Sequence, residues 1–228
     1  MIDLYTSPTP NGYKISVALE ELNIPYNVHV VNLQAGDQKK EEFLKLNPNG
    51  RIPVIVDTEN NNLPIMESGA QLIYLAEKAG KLLPSETTAR SKVMQWLMFQ
   101  MGGIGPMMGQ ANVFFRYWPG DKIQAAVDRY QNEGRRLFEV METRLQDNEF
   151  LADDFSIADI ANWCWVRTYK WSGIKIDGLT GLQRWMQMME DRPACKKGVA
   201  VPIDIMELMR NMKQSKDLTD TGSKIIQK

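Results

Sequence analysis

The sequence predicts an α/β domain built on a mixed four-stranded sheet, followed by an all-α domain. Three observations carry that reading. Between Ile2 and Gly80, short β-branched runs alternate with stretches whose apolar residues recur at helical spacing. Strand signals then fade after the proline-containing stretch "KLLPSETTAR". The 228 residues, 43% of them hydrophobic and 24% charged, suffice for two ordinary domains with real cores.

The opening "IDLY", residues 2–5, reads as a strand, and Ile15, Ala18, Leu19 and Leu22 then share one helical face. The turn signal "NIP" separates that helix from "YNVHVVNL", residues 26–33, whose β-branched and aromatic content completes a βαβ unit. Polar sequence follows, with a short helix expected over Glu41 to Leu46. "RIPVIVDT" and "LPIME" read as two strands joined by "ENNN", a hairpin signal. "SGAQLIYLAEKAG" is a helix stopped by Gly80, with Lys78 placed to favour the helix dipole. The order β-α-β-α-β-β-α implies helices on both faces of a mixed sheet, the thioredoxin-like arrangement, over residues 1–82.

Helical patterns then run over about 88–117, 122–147, 156–170 and 180–191, giving an all-α domain over 88–210. Gly102, Gly103, Gly105 and Pro106 interrupt the first of these, so a kink or break is expected there. Ser156 with Asp159 three residues on makes a variant of the capping box. The apolar cluster "IDIMELM" reads as a docked helix, and residues 211–228 as a polar tail.

The charge balance weighs against several function classes. With 27 basic and 28 acidic residues and no run of five like charges, no nucleic-acid partner is expected. The start "MIDLYTSP" lacks a basic region and a long apolar one, and no stretch reaches the length of a membrane span; a cytoplasmic protein without a membrane partner is expected. Two cysteines, Cys164 and Cys195, form no disulfide framework, and one histidine, His29, cannot make a metal cluster, so no metal is expected.

Chemistry points first to the corner "SPTPNGYK", where a first strand meets a first helix. A helix N-terminus presents unpaired backbone N–H groups and a partial positive charge. Thr9 and Asn11 add a hydroxyl and an amide there, and Pro10 sets the entry dihedral. The corner contains no thiol, so a thiolate held there must arrive with the substrate. The same residues also fit an ordinary helix cap, and both readings stand. In "NGRIPVIVD", Pro53 opens a strand after Ile52, a place where a cis bond would expose the Ile52 backbone to an extended ligand. In "MESGA", Glu67 and Ser68 open a helix and could read an ammonium and a carboxylate; as structure alone they are a solvated acid and an N-cap.

Taken together, "NGRIPVIVD", "IMESGAQLIYLAEKAG" and "FSIADIA" resemble the cytosolic glutathione transferases. More narrowly, "SPTPNGYKISVALEE", "QWLMFQMGGIGPMMGQ" and "RYQNEGRRL" resemble the Nu class, whose bacterial members act as disulfide-bond reductases and are similar to a fungal prion-forming regulator. The resemblance implies glutathione as cosubstrate and a homodimer. It places Thr9 and Asn11 near the glutathione sulfur as the catalytic pair, with Ser7 as an alternative hydroxyl. Ile52 and Pro53 would pair with the cysteinyl backbone, Glu67 and Ser68 with the γ-glutamyl end, and Gln38 and Arg51 with carboxylates. Gln100, Asn112 and Arg129 would reach a second glutathione. Neither Tyr5 nor Tyr13 sits at the corner, so neither is assigned the catalytic role that tyrosine has in several transferase classes. The implied activity is glutathione-dependent reduction of disulfides, extending to organic hydroperoxides; conjugation of electrophiles and a non-catalytic regulatory role are the alternatives on the same fold.

Overall fold

Ile2 and Leu4 are fully buried while Asp3 and Tyr5 are only partly covered, the period-two pattern of a strand with one face on a core. In this computed structural model, which describes residues 1–203 together with Asp220 and Gly222, that strand is β1 (Ile2–Thr6). It pairs parallel with β2 (Tyr26–Val30) and antiparallel with β3 (Val54–Asp57), which pairs antiparallel with β4 (Leu63–Ile65). The sheet order β2-β1-β3-β4 is the mixed four-stranded sheet expected. At the hairpin between β3 and β4, Asn61 and Asn62 hold φ of 52° and 54°, the left-handed conformation that asparagine tolerates in tight turns.

Helix α1 (Pro10–Leu22) makes the crossover from β1 to β2, and α3 (Ser68–Ala79) packs beside it. Gly80 ends α3 in the left-handed conformation at φ 64°. The short α2 (Glu41–Leu46) serves the other face, where its Phe43 joins Val31, Val54 and Tyr5 in a small core. Tyr5 and Val54 are register partners and so point to the same side of the sheet. β2 ends at Val30, three residues sooner than its β-branched content suggests: the Val31 N–H still donates to the Thr6 carbonyl, and Asn32 Oδ1 then accepts from the Gln34 and Ala35 N–H groups, which turns the chain.

Contacts divide the described residues into two units, the first made of residues 1–84 and 191–203, the second of residues 85–190 with Asp220 and Gly222. The sequence assigned 191–203 to the helical domain instead. The difference comes from α10 (Pro193–Val199), which lies on α1: Ser16 Oγ donates to the Gly198 carbonyl at 2.7 Å, and Arg192 forks onto Glu21 at 2.6 and 3.0 Å. A side chain at Gly198 would strike the Val17 backbone, so the contact depends on that glycine. Its cue in the sequence is a small residue rather than an apolar period. The apolar cluster after Pro202, apart from Ile203, and the polar tail, apart from Asp220 and Gly222, lie outside the described residues.

The second unit is helical throughout: α4 (Thr87–Phe99), α5 (Gly105–Asn112), α6 (Gln124–Leu145), α7 (Ile157–Val166), α8 (Tyr169–Ser172) and α9 (Thr180–Asp191). Where a kink or break was expected at Gly102–Pro106, the helix widens into a π turn over Gln100–Ile104, and the Gly105 N–H reaches back to the Gln100 carbonyl. Pro106 offers no N–H, and a π turn absorbs that missing donor without ending the helix. The capping box at α7 is present as expected, with Ser156 accepting from Ala158 and Asp159 accepting from the Ser156 N–H.

Candidate functional site

At the end of β1 the chain turns through Ser7 to Gln-free, thiol-free sequence and enters α1 at Pro10. Thr9 is the N-cap, extended at φ −137° and ψ 157°, and its Oγ1 accepts from the Gly12 N–H at 3.1 Å. Gly12 lies so close to Thr6 Oγ1 and the Ser7 carbonyl that a side chain would not fit. The two hydroxyls of the corner differ in what they have left to give. Ser7 is 5% exposed and donates its one proton to the Val31 carbonyl at 2.5 Å. Among the described residues Thr9 only accepts, so its proton remains to be donated. Asn11 follows on the first turn, half-buried. No acidic residue in that turn offsets the positive end of the helix.

Strand register brings the other expected segments to the same end of the sheet. Tyr5 pairs with Val54 and Ile55 with Ile65, both antiparallel. Just past these pairs, Ser7 follows β1, Ile52 and Pro53 precede β3, and Glu67 follows β4, so all leave the sheet at that same end. The Ile52–Pro53 peptide is cis, as the sequence suggested. Ile52 packs on the Phe43 core and Pro53 is buried. Ser68 begins α3 rather than capping it: the cap position belongs to Glu67, which makes no side-chain capping bond. Glu67 sits at φ 65° and ψ 114°, a conformation that typically costs about 1–3 kcal/mol and is kept where a site needs it. Its carboxylate lies 3.4 Å from Asn49 Nδ2.

Lys14, which the sequence reading did not single out, belongs to this cluster. It is 1% exposed and its ammonium donates to Ser68 Oγ at 3.1 Å, so a positive charge stands behind the hydroxyl expected to meet a carboxylate. Its one sequence signal is position: Lys14 sits between Tyr13 and Ile15 in a helix buried from Gly12 to Leu19.

Gln38 and Arg51 lie on two loops that touch. Gln38, 8% exposed in the turn Asp37–Lys39, has a side-chain oxygen without a hydrogen-bond partner. Gly50, at φ 62°, packs against its carbonyl, and Asn47 Nδ2 holds the Arg51 carbonyl at 2.6 Å. The Arg51 side chain is exposed and, among the described residues, makes no ion pair. Neither tyrosine competes for the corner: Tyr5 stacks on His29 at 4.5 Å, and the Tyr13 hydroxyl donates to the Ile203 carbonyl.

In the second unit, Gln100, Asn112 and Arg129 do not form one cluster. Gln100 is fully buried, with its amide against Gly105. Asn112 accepts from Ser172 Oγ at 2.8 Å, twelve positions and about 18 Å along the same helical run. Arg129 is exposed on α6, 3.8 Å from Glu133. Among the described residues no helix is long and apolar enough to cross a membrane, and no three His, Cys, Asp or Glu side chains are grouped to hold a metal.

The comparisons agree with this architecture. Residues 9–78 match the model of the glutathione S-transferase N-terminal domain, and residues 101–193 that of the glutathione S-transferase C-terminal domain. The chain is 43% identical over 199 residues to the disulfide-bond oxidoreductase YfcG of Escherichia coli, covering 85% of this chain and 92% of that protein. It is 34% identical to a second Escherichia coli disulfide-bond oxidoreductase, YghU, covering 86% and 73%. Among solved structures, a Pseudomonas putida glutathione transferase with one glutathione disulfide bound per subunit is 40% identical, with a TM-score of 0.82 and coverage of 88% and 91%. A Burkholderia graminis glutathione transferase with two glutathione molecules per subunit is 42% identical, with a TM-score of 0.81 and coverage of 88% of each chain. Two matching domain models, supported by relatives at this identity over most of the chain, establish that the protein belongs to the glutathione S-transferase family.

Proposed function

We propose that this protein is a glutathione-dependent thiol-disulfide oxidoreductase that reduces disulfide substrates with the thiolate of bound glutathione. One observation carries the reading: the corner offers an unspent hydroxyl proton at a helix N-terminus but no thiol, while both cysteines of the chain, Cys164 and Cys195, are fully buried. The reacting sulfur therefore belongs to the ligand.

Thr9 donates to that sulfur and Asn11 adds its amide at the first turn of α1. Lowering a thiol pKa by two units from about 8.5 requires roughly 2.7 kcal/mol of preference for the thiolate. One charge-assisted hydrogen bond, at about 1.5–3 kcal/mol, plus a helix terminus, at about 0.3–1 kcal/mol, covers it. The Ile52 backbone pairs with the cysteinyl residue, Glu67 takes the γ-glutamyl ammonium, and Ser68, backed by Lys14, takes the adjoining carboxylate. Gln38 and Arg51 meet the remaining carboxylate. One glutathione thiolate attacks the substrate disulfide, releasing one half as a thiolate; a second glutathione thiolate attacks the resulting mixed disulfide, releasing the other half and glutathione disulfide. Of the residues expected to hold the second tripeptide, Arg129 has the solvent-facing charge that suits a carboxylate. Relatives with one glutathione disulfide or two glutathione molecules per subunit support this stoichiometry.

We further propose a homodimer, supported by the unpaired edge of β4, where Leu63 and Met66 are each 40% exposed. The deciding experiment measures glutathione binding and stoichiometry by calorimetry, then compares turnover of hydroxyethyl disulfide with conjugation of chlorodinitrobenzene. Binding of two glutathiones with faster disulfide turnover is expected. Faster conjugation would favour the transferase alternative, and no binding would overturn both.

A further inference from the structure

Gln71, on the first turns of α3, is fully buried and makes three hydrogen bonds that converge on the ligand-facing end of the sheet. Its side-chain nitrogen donates to the Pro53 carbonyl at 2.8 Å and to the Ile65 carbonyl at 2.9 Å. Its backbone N–H donates to the Glu67 carbonyl at 2.9 Å. Both side-chain acceptors are carbonyls, which only accept, so the amide nitrogen must face them and both its protons are used. The amide oxygen is left buried without a partner among the described residues. A buried unpaired acceptor costs about 1–3 kcal/mol, so a residue chosen only to fill this space would be apolar.

We infer that Gln71 is a positioning residue for glutathione: it ties the segment Ile52–Pro53 to the segment Ile65–Glu67 and so sets the spacing between the backbone that reads the cysteinyl residue and the side chains that read the γ-glutamyl end. The inference rests on the glutathione reading of the site. The spacing matters because β4 is only three residues long and partly exposed, so its ladder alone holds Glu67 weakly. Gln71 donates to carbonyls on both sides of that gap, and neither bond goes to the corner at Ser7–Asn11. Its contribution is equal in the ground and transition states, which places its effect in KM and not in kcat.

The test replaces Gln71 with methionine, which keeps length and volume but has no donor, and with leucine as a second variant should the first fail to fold; thermal melting checks the fold of each. The expected result is a glutathione KM and calorimetric Kd raised about tenfold, with kcat and the thiol pKa of bound glutathione within about twofold and a few tenths of a unit of the unsubstituted protein. Unchanged KM and Kd in a folded variant would overturn the inference, as would a loss of kcat with KM unaltered. If the unsubstituted protein binds no glutathione, the reading of the site itself fails, an outcome visible before any variant is made.

Discussion

Ser7 and Thr9 stand two residues apart with the same functional group, and their hydrogen bonds divide the work. Ser7 spends its proton on Val31, tying the corner to the end of β2, whereas Thr9, among the described residues, only accepts, from the Gly12 N–H. Thr9→Ala is therefore expected to raise the pKa of bound glutathione thiol by about one to two units, the loss of one charge-assisted bond, and so to move the rate optimum to higher pH. Ser7→Ala should leave that pH profile in place and lower stability by about 1 kcal/mol, read from urea unfolding. Lys14→Met removes the charge behind Ser68; a glutathione KM raised several-fold, with the pH profile unmoved, is expected from steady-state kinetics. The helix starts at Thr9–Asn11 and at Glu67–Ser68 were legible in the sequence because capping and helix-start chemistry are local. Lys14 and Gln71 were not, since a lysine or glutamine within a helical stretch reads as solvated until the packing of α1 and α3 buries it.

The α7 start shows an element whose local signal was complete and whose tertiary role was hidden. Asp159 accepts from Ser156, as the capping pattern predicts, and also from the Leu151 N–H and Trp185 Nε1, each at 3.0 Å. Burial pushes its carboxyl up to about 6, against the pull of these donors. A raised acid pKa means that the folded state binds the proton more tightly, so between about pH 4 and 6 this group makes stability fall as pH rises. Urea midpoints measured across that window should show the decline, and Asp159→Asn should flatten it. Ser156→Ala, removing one cap, is expected to cost about 1 kcal/mol in the same measurement. The π turn at Gln100–Ile104 marks the limit of local reading: glycine and proline announce an irregularity, but whether the helix breaks or widens depends on packing, including the fit of Gln100 against Gly105.

For the molecule as a whole, a ligand-borne sulfur makes a direct claim about the chain's own thiols. The double variant Cys164→Ala, Cys195→Ala should reduce hydroxyethyl disulfide at a rate within about threefold of the unsubstituted protein, because the proposed mechanism uses neither sulfur as nucleophile. A folded variant that loses activity would contradict the mechanism. Sedimentation should give a particle of twice the 26.1 kDa chain, and Leu63→Lys with Met66→Glu should shift it toward the monomer. The sequence by itself determined the two-part architecture, the β-α-β-α-β-β-α order, the helix caps and the thiol-free corner, because periodicity, turn residues and capping act over a few neighbouring positions. Only the tertiary structure decided that α10 returns to α1, that the Ser7 proton is spent on Val31, and that Lys14 and Gln71 are buried, the one donating to Ser68 and the other to Pro53 and Ile65. Those facts turn on which atoms meet across long separations in the chain, and hydrogen-bond protons and buried charges are assigned by such meetings alone.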